Sequence, residues 1–496
     1  MNVEKTKKVV VVGAGLGGIS AAISCANRGY KVCVLEKNDK IGGKLNIKTI
    51  DGFSFDLGPS ILTLPSIFER LFTEAGKNMR DYIDIIDLDI HWRNFFEDHP
   101  IIDLYSDMDK TAHHLDEIQR GCGKEFTQFM KYSKRQYDII EQCYFEKAPD
   151  TPIQMFLRYS WMDLICKLDI FRSMHKGTQT FFSNKYIIDV FDFFIKYVGS
   201  SAYNAPGFMN LMPYVQFGYG LWYVKGGMYN IARGFARLME ELGIKVHTNT
   251  EIVQANTRDG RVTDIVTKEG VKYTCDILVS NMEVVPAYRR LFNKGYTFLR
   301  RYNKFEPACS GLVMHLGVDK IYSQLAHHNF FFSGNQKEHF KSVFNKHEMP
   351  KDPTLYVVAP VRSDNSIAPK GCDVIKVLPH IPHLLGGRSY THEDYIALGE
   401  KVLDKLERMG LKDLRKHIVV KDILNPFDIE KMYYSNGGSI YGVVSDHIKN
   451  FAFKCPKRSK HHENCFFVGG SVNPGGGMPM VIQSGYSTAQ MIKEQF

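Results

Sequence analysis

The 496-residue sequence lacks the cysteine patterns that hold small or metal-stabilised domains together. Its ten cysteines include no Cys-x-x-Cys pair and no Cys/His zinc spacing, and the nearest two, Cys25 and Cys33, have seven residues between them. In a chain this long, scattered cysteines indicate reduced thiols in a reducing compartment. We therefore expect neither a disulfide framework nor a structural zinc ion, and we predict a cytoplasmic location.

Hydrophobic runs that suit a membrane helix are also missing. Residues 9–27 carry no charge and follow two lysines, as in a signal peptide, but four of them are glycine. Residues 466–491 are uncharged too, yet they include two prolines and six glycines. Glycine and proline at this density make a poor membrane span. We predict that the chain has no transmembrane helix.

Neither charge sign nor polarity is extreme. The net charge of +9 suits a nucleic acid or an anionic membrane surface without requiring either, and we predict no nucleic-acid partner. Hydrophobic residues at 44% and charged residues at 24% argue against a largely disordered chain. The length exceeds one ordinary core, so we expect two or more domains. Aromatic residues, at 12%, could line an apolar cavity or fill a core.

The N-terminus has the pattern strand, tight turn, helix, strand. Lys8 to Val12 predicts a buried strand, Leu16 to Arg28 a helix that Gly29 ends, and Lys31 to Glu36 the next strand. This βαβ unit is typical of a doubly wound parallel sheet.

The turn of this unit contains a dinucleotide-binding fingerprint, G-x-G-x-x-G. Gly13 permits the tight turn, Gly15 lets a pyrophosphate approach the backbone, and Gly18 lets helix and strand pack closely. The helix N-terminus would offer free N–H groups and a positive dipole to the pyrophosphate. Glu36 ends the second strand, where a carboxylate would accept hydrogen bonds from ribose hydroxyls.

Two further segments identify the dinucleotide. Gly42-Gly43-Lys44 and Asp56-Leu57-Gly58-Pro59-Ser60 resemble segments of the flavin-dependent amine oxidase and phytoene desaturase superfamily, in which such loops wrap FAD. The resemblance implies that Lys44 lies near the pyrophosphate or the flavin. No second G-x-G-x-x-G occurs, so a separate NADPH domain is not expected. Electrons from the reduced flavin would then pass to O₂ or a quinone.

A glycine-rich loop precedes the C-terminal helix. Residues 467–480 include the run Val472-Asn473-Pro474-Gly475, and Pro479 stands at the start of the helix, where no N–H is needed. If the flavin ring lies at this loop, the helix dipole stabilises negative charge on the reduced ring.

The pattern G-x-[ST]-x-x-P-G-x-G-x-P in this loop resembles the carotenoid desaturase and oxygenase family over nearly the whole chain. The desaturases usually have Thr-His-Pro-Gly where this chain has Val-Asn-Pro-Gly, so the flavin edge should differ in polarity. With residues 197–201, 280–284 and 327–332, the loop is most similar to bacterial C30 oxygenases acting on diaponeurosporene or diapolycopene. The resemblance implies an FAD-dependent oxidation of the terminal methyl group of an acyclic C30 carotenoid to an aldehyde. The alternative is a dehydrosqualene (diapophytoene) or phytoene desaturase.

These observations predict an α/β fold. A Rossmann-type FAD-binding domain would be assembled from residues 1–105, 222–285 and 425–496, with a substrate-binding and membrane-facing domain, partly helical, from 106–221 and 286–424. No catalytic acid or base can be named. The predicted FAD contacts are Val12, Gly13, Ala14, Gly15, Leu16, Gly18, Glu36, Lys37, Gly43, Lys44, Gly58, Pro59, Ser60, Val253, Gly470, Ser471, Gly477 and Met480.

A C30 polyene is nearly insoluble in water, so we expect the enzyme to bind the inner face of the cell membrane peripherally. Tyr288 to Lys304, with six basic and five aromatic residues and no acidic one, is the candidate segment, and residues 156–197 are a weaker one. A solvated charged face explains residues 288–304 equally well.

The 18 histidines form no iron-binding sequence pattern, and we predict no metal. Rab GDP-dissociation inhibitors resemble this architecture, so a lipid-binding chaperone without flavin is the alternative from another class.

Overall fold

A computed structural model describes residues 6–145, 149–159, 164, 166–386 and 390–496. Its helices over these residues are α1 Leu16–Asn27, α2 Pro65–Glu74, α3 Met108–Ile118, α4 Cys122–Ile140, α5 Pro152–Arg158, α6 Met174–Gln179, α7 Lys185–Asp192, α8 Met212–Tyr219, α9 Asn230–Glu241, α10 Val284–Arg290, α11 Tyr296–Leu299, α12 Gln336–Lys341, α13 His392–Arg408, α14 Leu414–His417, α15 Pro426–Tyr433 and α16 Met478–Gln495. Its strands are β1 Lys8–Val12, β2 Lys31–Leu35, β3 Ile47–Ile50, β4 Phe53–Asp56, β5 Ile85–Asp87, β6 Ile90–Phe95, β7 Ile102–Tyr105, β8 Trp222–Val224, β9 Lys245–His247, β10 Ile252–Arg258, β11 Arg261–Thr267, β12 Lys272–Thr274, β13 Ile277–Ser280, β14 Ser310–Gly311, β15 Val313–Val318, β16 His328–Phe331, β17 Leu355–Val358, β18 Asp373–Ile381, β19 Ile418–Leu424 and β20 Cys465–Phe467.

The N-terminal strand lies at the centre of a five-stranded parallel sheet. The strand order is β20-β13-β1-β2-β9, and every neighbouring pair is parallel. Val9 to Val12 are buried, as expected of a parallel strand that is covered on both faces. The predicted parallel sheet is confirmed, and so are the bounds of its first strand.

Helix α1 packs along the C-terminal helix α16 at a glycine contact. A Cβ atom at Gly485 would lie 2.4 Å from the Gly17 carbonyl oxygen and 2.7 Å from the Ala21 nitrogen, so the two backbones approach as closely as only glycine allows. Helix α1 ends at Asn27, one residue before the predicted end, and Gly29 follows with a φ of +86°. The first and last helices of the chain are thereby in direct contact next to the fingerprint turn.

A second, mixed sheet carries the other half of the molecule. Its order is β19-β15-β18-β17-β16-β6-β7, with β14 paired to β18, and only the β6–β16 pair is parallel. Strands β6 and β7 belong to the predicted FAD segment 1–105, yet they pair in this second sheet. Sheet membership changes near residue 88 rather than at residue 105. Strand β6 pairs with β16, more than 200 residues away in the sequence, so no local signal marks this change.

Most of the described residues between 106 and 221 are helical, and the segment is rich in aromatic side chains, as expected. Helix α4 passes directly into a π-helical turn, Glu141–Phe145, a feature that often occurs at functional sites. Within the described part of the chain, no helix combines the length and the apolar character needed to cross a bilayer.

Candidate functional site

A cavity of about 890 Å³ is lined by residues of both large sheets and of the helical region. This volume is near the upper end of the range of roughly 300–1,000 Å³ for ligand sites. Most of the predicted FAD contacts line it, namely Val12, Gly13, Gly15, Leu16, Glu36, Lys37, Gly43, Lys44, Gly58, Pro59, Ser60, Gly470, Gly477 and Met480. The sequence therefore brings three distant segments to one cavity.

The fingerprint turn is shaped by contacts that leave no room for side chains. Gly13 has a φ of +94°, and a Cβ at Gly18 would lie 2.1 Å from the Gly13 carbonyl oxygen. At Gly15 a Cβ would lie 2.9 Å from Asn281 Oδ1. Helix α1 begins within this turn. Its Gly18 N–H donates to Asn281 Oδ1 at 2.6 Å, whereas Leu16 and Gly17 of its first turn line the cavity. Gly18 itself does not line the cavity and serves the close packing that its position in the fingerprint implies.

The Glu36 carboxylate is fixed by two backbone amides. It is buried at the end of β2, and its two oxygens accept hydrogen bonds from the Ala14 nitrogen at 2.7 Å and the Asn38 nitrogen at 2.9 Å. Ala14 therefore contributes its N–H to Glu36 rather than to the cavity. Because both amides orient the carboxylate, its remaining lone pairs are set for donors in the cavity, such as ribose hydroxyls.

Two further predicted contacts, Val253 and Ser471, do not line the cavity either. Val253 is 41% exposed, whereas Ile252 is buried and lines the cavity, because successive residues of strand β10 point to opposite faces. The Ser471 hydroxyl accepts a hydrogen bond of 3.1 Å from the Val284 nitrogen and so ties the C-terminal loop to helix α10.

Lys44 and the Gly58–Ser60 segment are held by specific partners. The Lys44 ammonium donates to Glu283 at 3.2 Å and to the Ser439 carbonyl at 2.8 Å. A Cβ at Gly58 would lie 1.7 Å from the Lys44 carbonyl oxygen, so only glycine fits there. These contacts bring Lys44 to the cavity wall as a positively charged group whose charge is partly balanced.

Lys376 was not predicted and belongs to the same wall. It is buried on strand β18 and donates to the Gly58 carbonyl and, at 3.1 Å, to Ser60 Oγ. Burial lowers its pKa to about 8, and the nearby Asp56 opposes this shift. The available sequence signal was a lone lysine in the otherwise apolar run Val374-Ile375-Lys376-Val377-Leu378.

The Asn473 side chain forms hydrogen bonds within the protein. Its Oδ1 accepts hydrogen bonds from the Tyr144 hydroxyl at 2.7 Å and from the Lys454 nitrogen at 2.8 Å, and its side chain is fully buried. The side chain does not line the cavity. The polar atoms of Asn473 join the loop to two neighbouring segments, and its influence on the polarity of the flavin edge stays a prediction.

The histidines come together in a way that sequence spacing did not reveal. Potential ligand atoms of Glu306, His347 and His383 lie within 4.8 Å of one another. His347 Nδ1 is buried without a hydrogen-bond partner among the described residues, and burial lowers the pKa of His383 to about 4. Glu306 is also paired with Lys449, so a divalent cation would have to compete with this ammonium.

The predicted membrane segment, Tyr288 to Lys304, turns most of its aromatic side chains inward. Tyr288 is fully buried and contacts Phe298 and Phe467, while Tyr296 is exposed. The basic residues of this segment remain on the surface or half-buried. The structure therefore separates the charged part of this candidate from most of its apolar part.

A different set of apolar side chains is exposed, and two of them line the cavity. Phe171 and Phe451 line the cavity and also face solvent. Ile448 is three residues before Phe451, and Ile153 and Leu157 lie on helix α5, whose Met155 lines the cavity. These five side chains are 63% to 84% exposed. We call this set the mouth cluster. It overlaps the weaker membrane candidate, residues 156–197, of which 160–163 and 165 lie outside the described residues.

The cavity residues fit a dinucleotide. The wall contains the N-terminus of helix α1, glycines that no side chain can replace, and a buried carboxylate, which are the parts that bind a pyrophosphate and a ribose. A parallel nucleotide-binding sheet joined to a mixed sheet over one cavity defines the class: a flavoprotein oxidoreductase with FAD as its cofactor.

The chain belongs to the flavin containing amine oxidoreductase family, whose model matches residues 16–356. It is 52% identical over 485 residues to 4,4'-diapolycopene oxygenase from Methylomonas sp, and the match covers 98% of each chain. It is 45% identical over 488 residues to 4,4'-diaponeurosporene oxygenase from Staphylococcus aureus (strain USA300), again over 98% of each. The resemblance to the carotenoid branch of the family is confirmed, and the chain is an enzyme rather than a chaperone.

Among solved structures, a putrescine oxidase triple mutant resembles this fold. The TM-score is 0.66 at 14% sequence identity, with 99% of each chain covered. This likeness confirms the fold alone.

Proposed function

We propose that the protein oxidises the terminal methyl group of an acyclic C30 carotenoid, diaponeurosporene or diapolycopene, to an aldehyde. The observation that carries this proposal is the cavity itself. Its lining includes the predicted FAD contacts, a wall of apolar side chains, and Phe171 and Phe451 of the mouth cluster, which also face solvent. The names of the two carotenoid oxygenases to which the chain is similar support the same substrate class.

The apolar end of the cavity suits a hydrocarbon chain. Its wall includes Met209 and Leu211 from the segment that leads into α8, Met212 and Val215 from α8 itself, and Phe145 from the π-helical turn. Such a wall excludes bulk water and holds a long polyene by contact area rather than by hydrogen bonds. The end of the polyene would be presented to the C-terminal loop at Gly470 and Gly477.

Bound FAD supplies the two-electron oxidation, and the chain supplies position and electrostatics. Lys376 fixes the Gly58–Ser60 segment, and Lys44 is held in place by Glu283, so both groups are arranged before substrate enters. The N-terminus of α16 directs its positive dipole at the C-terminal loop. Conversion of a methyl group to an aldehyde removes two electron pairs and adds one oxygen atom, which comes from water or O₂. O₂ or a quinone accepts the electrons.

We further propose that the mouth cluster is the membrane-facing surface. A substrate this insoluble leaves a bilayer most easily where an apolar cavity opens directly against the lipid. Ile153 and Leu157 are four residues apart on α5 and so share one helical face. Basic residues of the segment 288–304 would add attraction to anionic lipid at the inner face of the cell membrane.

The test of the proposed reaction is expression in cells that make either fully conjugated diapolycopene or colourless diapophytoene, followed by identification of the pigments. An already conjugated polyene delocalises the charge left when hydride is lost from its terminal methyl group. Diapolycopene should therefore be converted to an aldehyde, and diapophytoene should remain unchanged.

A further inference from the structure

Five lysines line the cavity, and four of them have hydrogen-bond acceptors. Their contacts are Lys37 to the Lys431 carbonyl, Lys44 to Glu283 and Ser439, Lys376 to Gly58 and Ser60, and Lys454 to the Val444 carbonyl and Ser445. The fifth, Lys196, is buried, and its Nζ donates to no acceptor among the residues that the structure describes. Buried amino groups are nearly always hydrogen-bonded, so this exception points to a missing partner.

The Lys196 ammonium lies in a box of aromatic rings. Its Nζ is 3.7 Å from the ring centre of Tyr356, 4.5 Å from Phe330, 4.9 Å from Trp92 and 5.1 Å from Tyr197. The ring faces attract a positive charge, whereas burial lowers the pKa of Lys196 well below its usual range. The faces offer no strong hydrogen-bond acceptor, so the N–H donors of Lys196 remain available to a ligand in the cavity.

Lys196 is next to the part of the cavity at which the reacting end is expected. A Cβ at Gly477 would lie 3.5 Å from the Tyr197 carbonyl oxygen, and Gly199 packs directly against Tyr441. The backbone that carries Lys196 therefore contacts the C-terminal loop. An acceptor bound by Lys196 would belong to the end of the substrate and not to the middle of the polyene.

A C30 hydrocarbon has no hydrogen-bond acceptor, but its oxidised end has one. We propose that Lys196 binds the oxygen atom of the oxidised carotenoid end: the hydroxyl of the first oxidation product and the carbonyl of the aldehyde. This inference rests on the proposed function. The second oxidation removes two electrons and two protons from the alcohol and adds no oxygen, so an alcohol retained by Lys196 remains in place for that step.

The first test measures binding without turnover. Purified FAD-loaded wild type and Lys196→Met are each mixed with a C30 polyene aldehyde or with the hydrocarbon of equal length, and the carotenoid absorption band is recorded. A hydrogen-bond donor at the carbonyl oxygen shifts the aldehyde band to longer wavelength. Lys196→Met should lose this shift and bind the aldehyde about tenfold more weakly or worse, while the hydrocarbon band is the same in both proteins.

The second test compares released products. Wild type should release mainly aldehyde from the hydrocarbon, and the ratio of aldehyde to alcohol should fall about tenfold or more in Lys196→Met. Flavin content and thermal midpoint establish that the variant is folded. If the variant is not folded, Lys196→Gln replaces it, and the shorter Gln donor should retain only part of the affinity and of the band shift.

The outcomes separate the two proposals. If wild type fails to oxidise the hydrocarbon, the proposed function fails, while the aldehyde spectra still decide whether Lys196 binds a carbonyl. The inference about Lys196 is overturned, and the proposed function stands, if wild type produces the aldehyde and the folded Lys196 variant shows the wild-type spectrum and the wild-type product ratio.

Discussion

At the scale of single residues, the cofactor end of the cavity is arranged by the protein's own hydrogen bonds. Glu36 accepts from two backbone amides, and Lys44 pairs with Glu283. Such fixed polar groups lose little freedom when a ligand binds, which favours affinity. Exchanging one carboxylate oxygen of Glu36 for an NH₂ group is therefore a direct test of the predicted FAD site.

Replacing Glu36 by Gln should weaken FAD binding about tenfold to a hundredfold. The Gln amide group would place an NH₂ opposite one of two backbone N–H donors, and hydrogen bonds to a charged group contribute about 1.5–3 kcal/mol. Titration of the apoprotein with FAD, followed by flavin fluorescence, measures the change. Glu269→Gln, at an exposed carboxylate, is the matched control. Equal affinities for all three proteins would contradict the assignment of Glu36.

The residues of this site could be predicted from the sequence only where a short motif carries them. The fingerprint glycines, Glu36 and Lys44 come from local patterns, and they do line or shape the cavity. Lys196 and Lys376 could not be found in this way, because their roles arise from contacts with residues that are distant in sequence. The partners of Asn473 could not be predicted either, since a loop motif does not show which way a side chain turns.

At the scale of secondary structure, the nucleotide-binding turn depends on the contact between the first and last helices. Helix α1 begins within the fingerprint and packs on α16, whose own N-terminus follows the C-terminal loop. A displacement of either helix therefore moves both halves of the predicted FAD site.

Gly485→Ala should destabilise the protein by about 1–3 kcal/mol and reduce its flavin content, because the added methyl group overlaps the Gly17 carbonyl and the Ala21 nitrogen. Alanine for glycine inside a helix ordinarily stabilises by about 0.5–1 kcal/mol, so the sign of the change is diagnostic. Urea unfolding gives the free energy. Gly399→Ala, inside helix α13, where a Cβ comes no closer than 3.7 Å to its neighbours, is the control, and a stabilised Gly485→Ala would contradict the close contact.

The strands and helices near the N-terminus could be predicted to within a residue because their apolar periodicity and glycines are local. Strands β6 and β7 lie within the predicted FAD segment 1–105 but pair in the second sheet, where β6 contacts β16 from more than 200 residues away in the sequence. Pairing at such separation depends on the assembled fold and not on any nearby residue.

At the scale of the whole molecule, the two sheets and the helical region enclose one cavity whose mouth is apolar. Substrate supply is then a property of the surface as well as of the cavity. The mouth cluster and the basic segment 288–304 are two parts of the proposed contact with a bilayer, and they can be tested separately.

The double variant Leu157→Asp/Ile448→Asp should lower co-sedimentation with anionic liposomes about tenfold or more, because each change removes an exposed apolar group and adds a negative charge. Val271→Asp/Ile396→Asp, at exposed apolar residues away from the cavity lining, is the matched control. Charge reversal at Arg289, Arg290, Arg300 and Arg301 should weaken binding mainly at low salt. If only the arginine variant reduces sedimentation, the mouth cluster is not the membrane-facing surface.

The most direct measurement of the central claim is the pigment comparison in cells that make either diapolycopene or diapophytoene. Gly58→Ala, which cannot fit against the Lys44 carbonyl, is the control without an intact cofactor site. The wild-type protein should yield a C30 aldehyde from diapolycopene and leave diapophytoene colourless, and Gly58→Ala should change neither. Coloured products from diapophytoene, with no oxygen in any pigment from either strain, would show that the protein is a desaturase and would contradict the account.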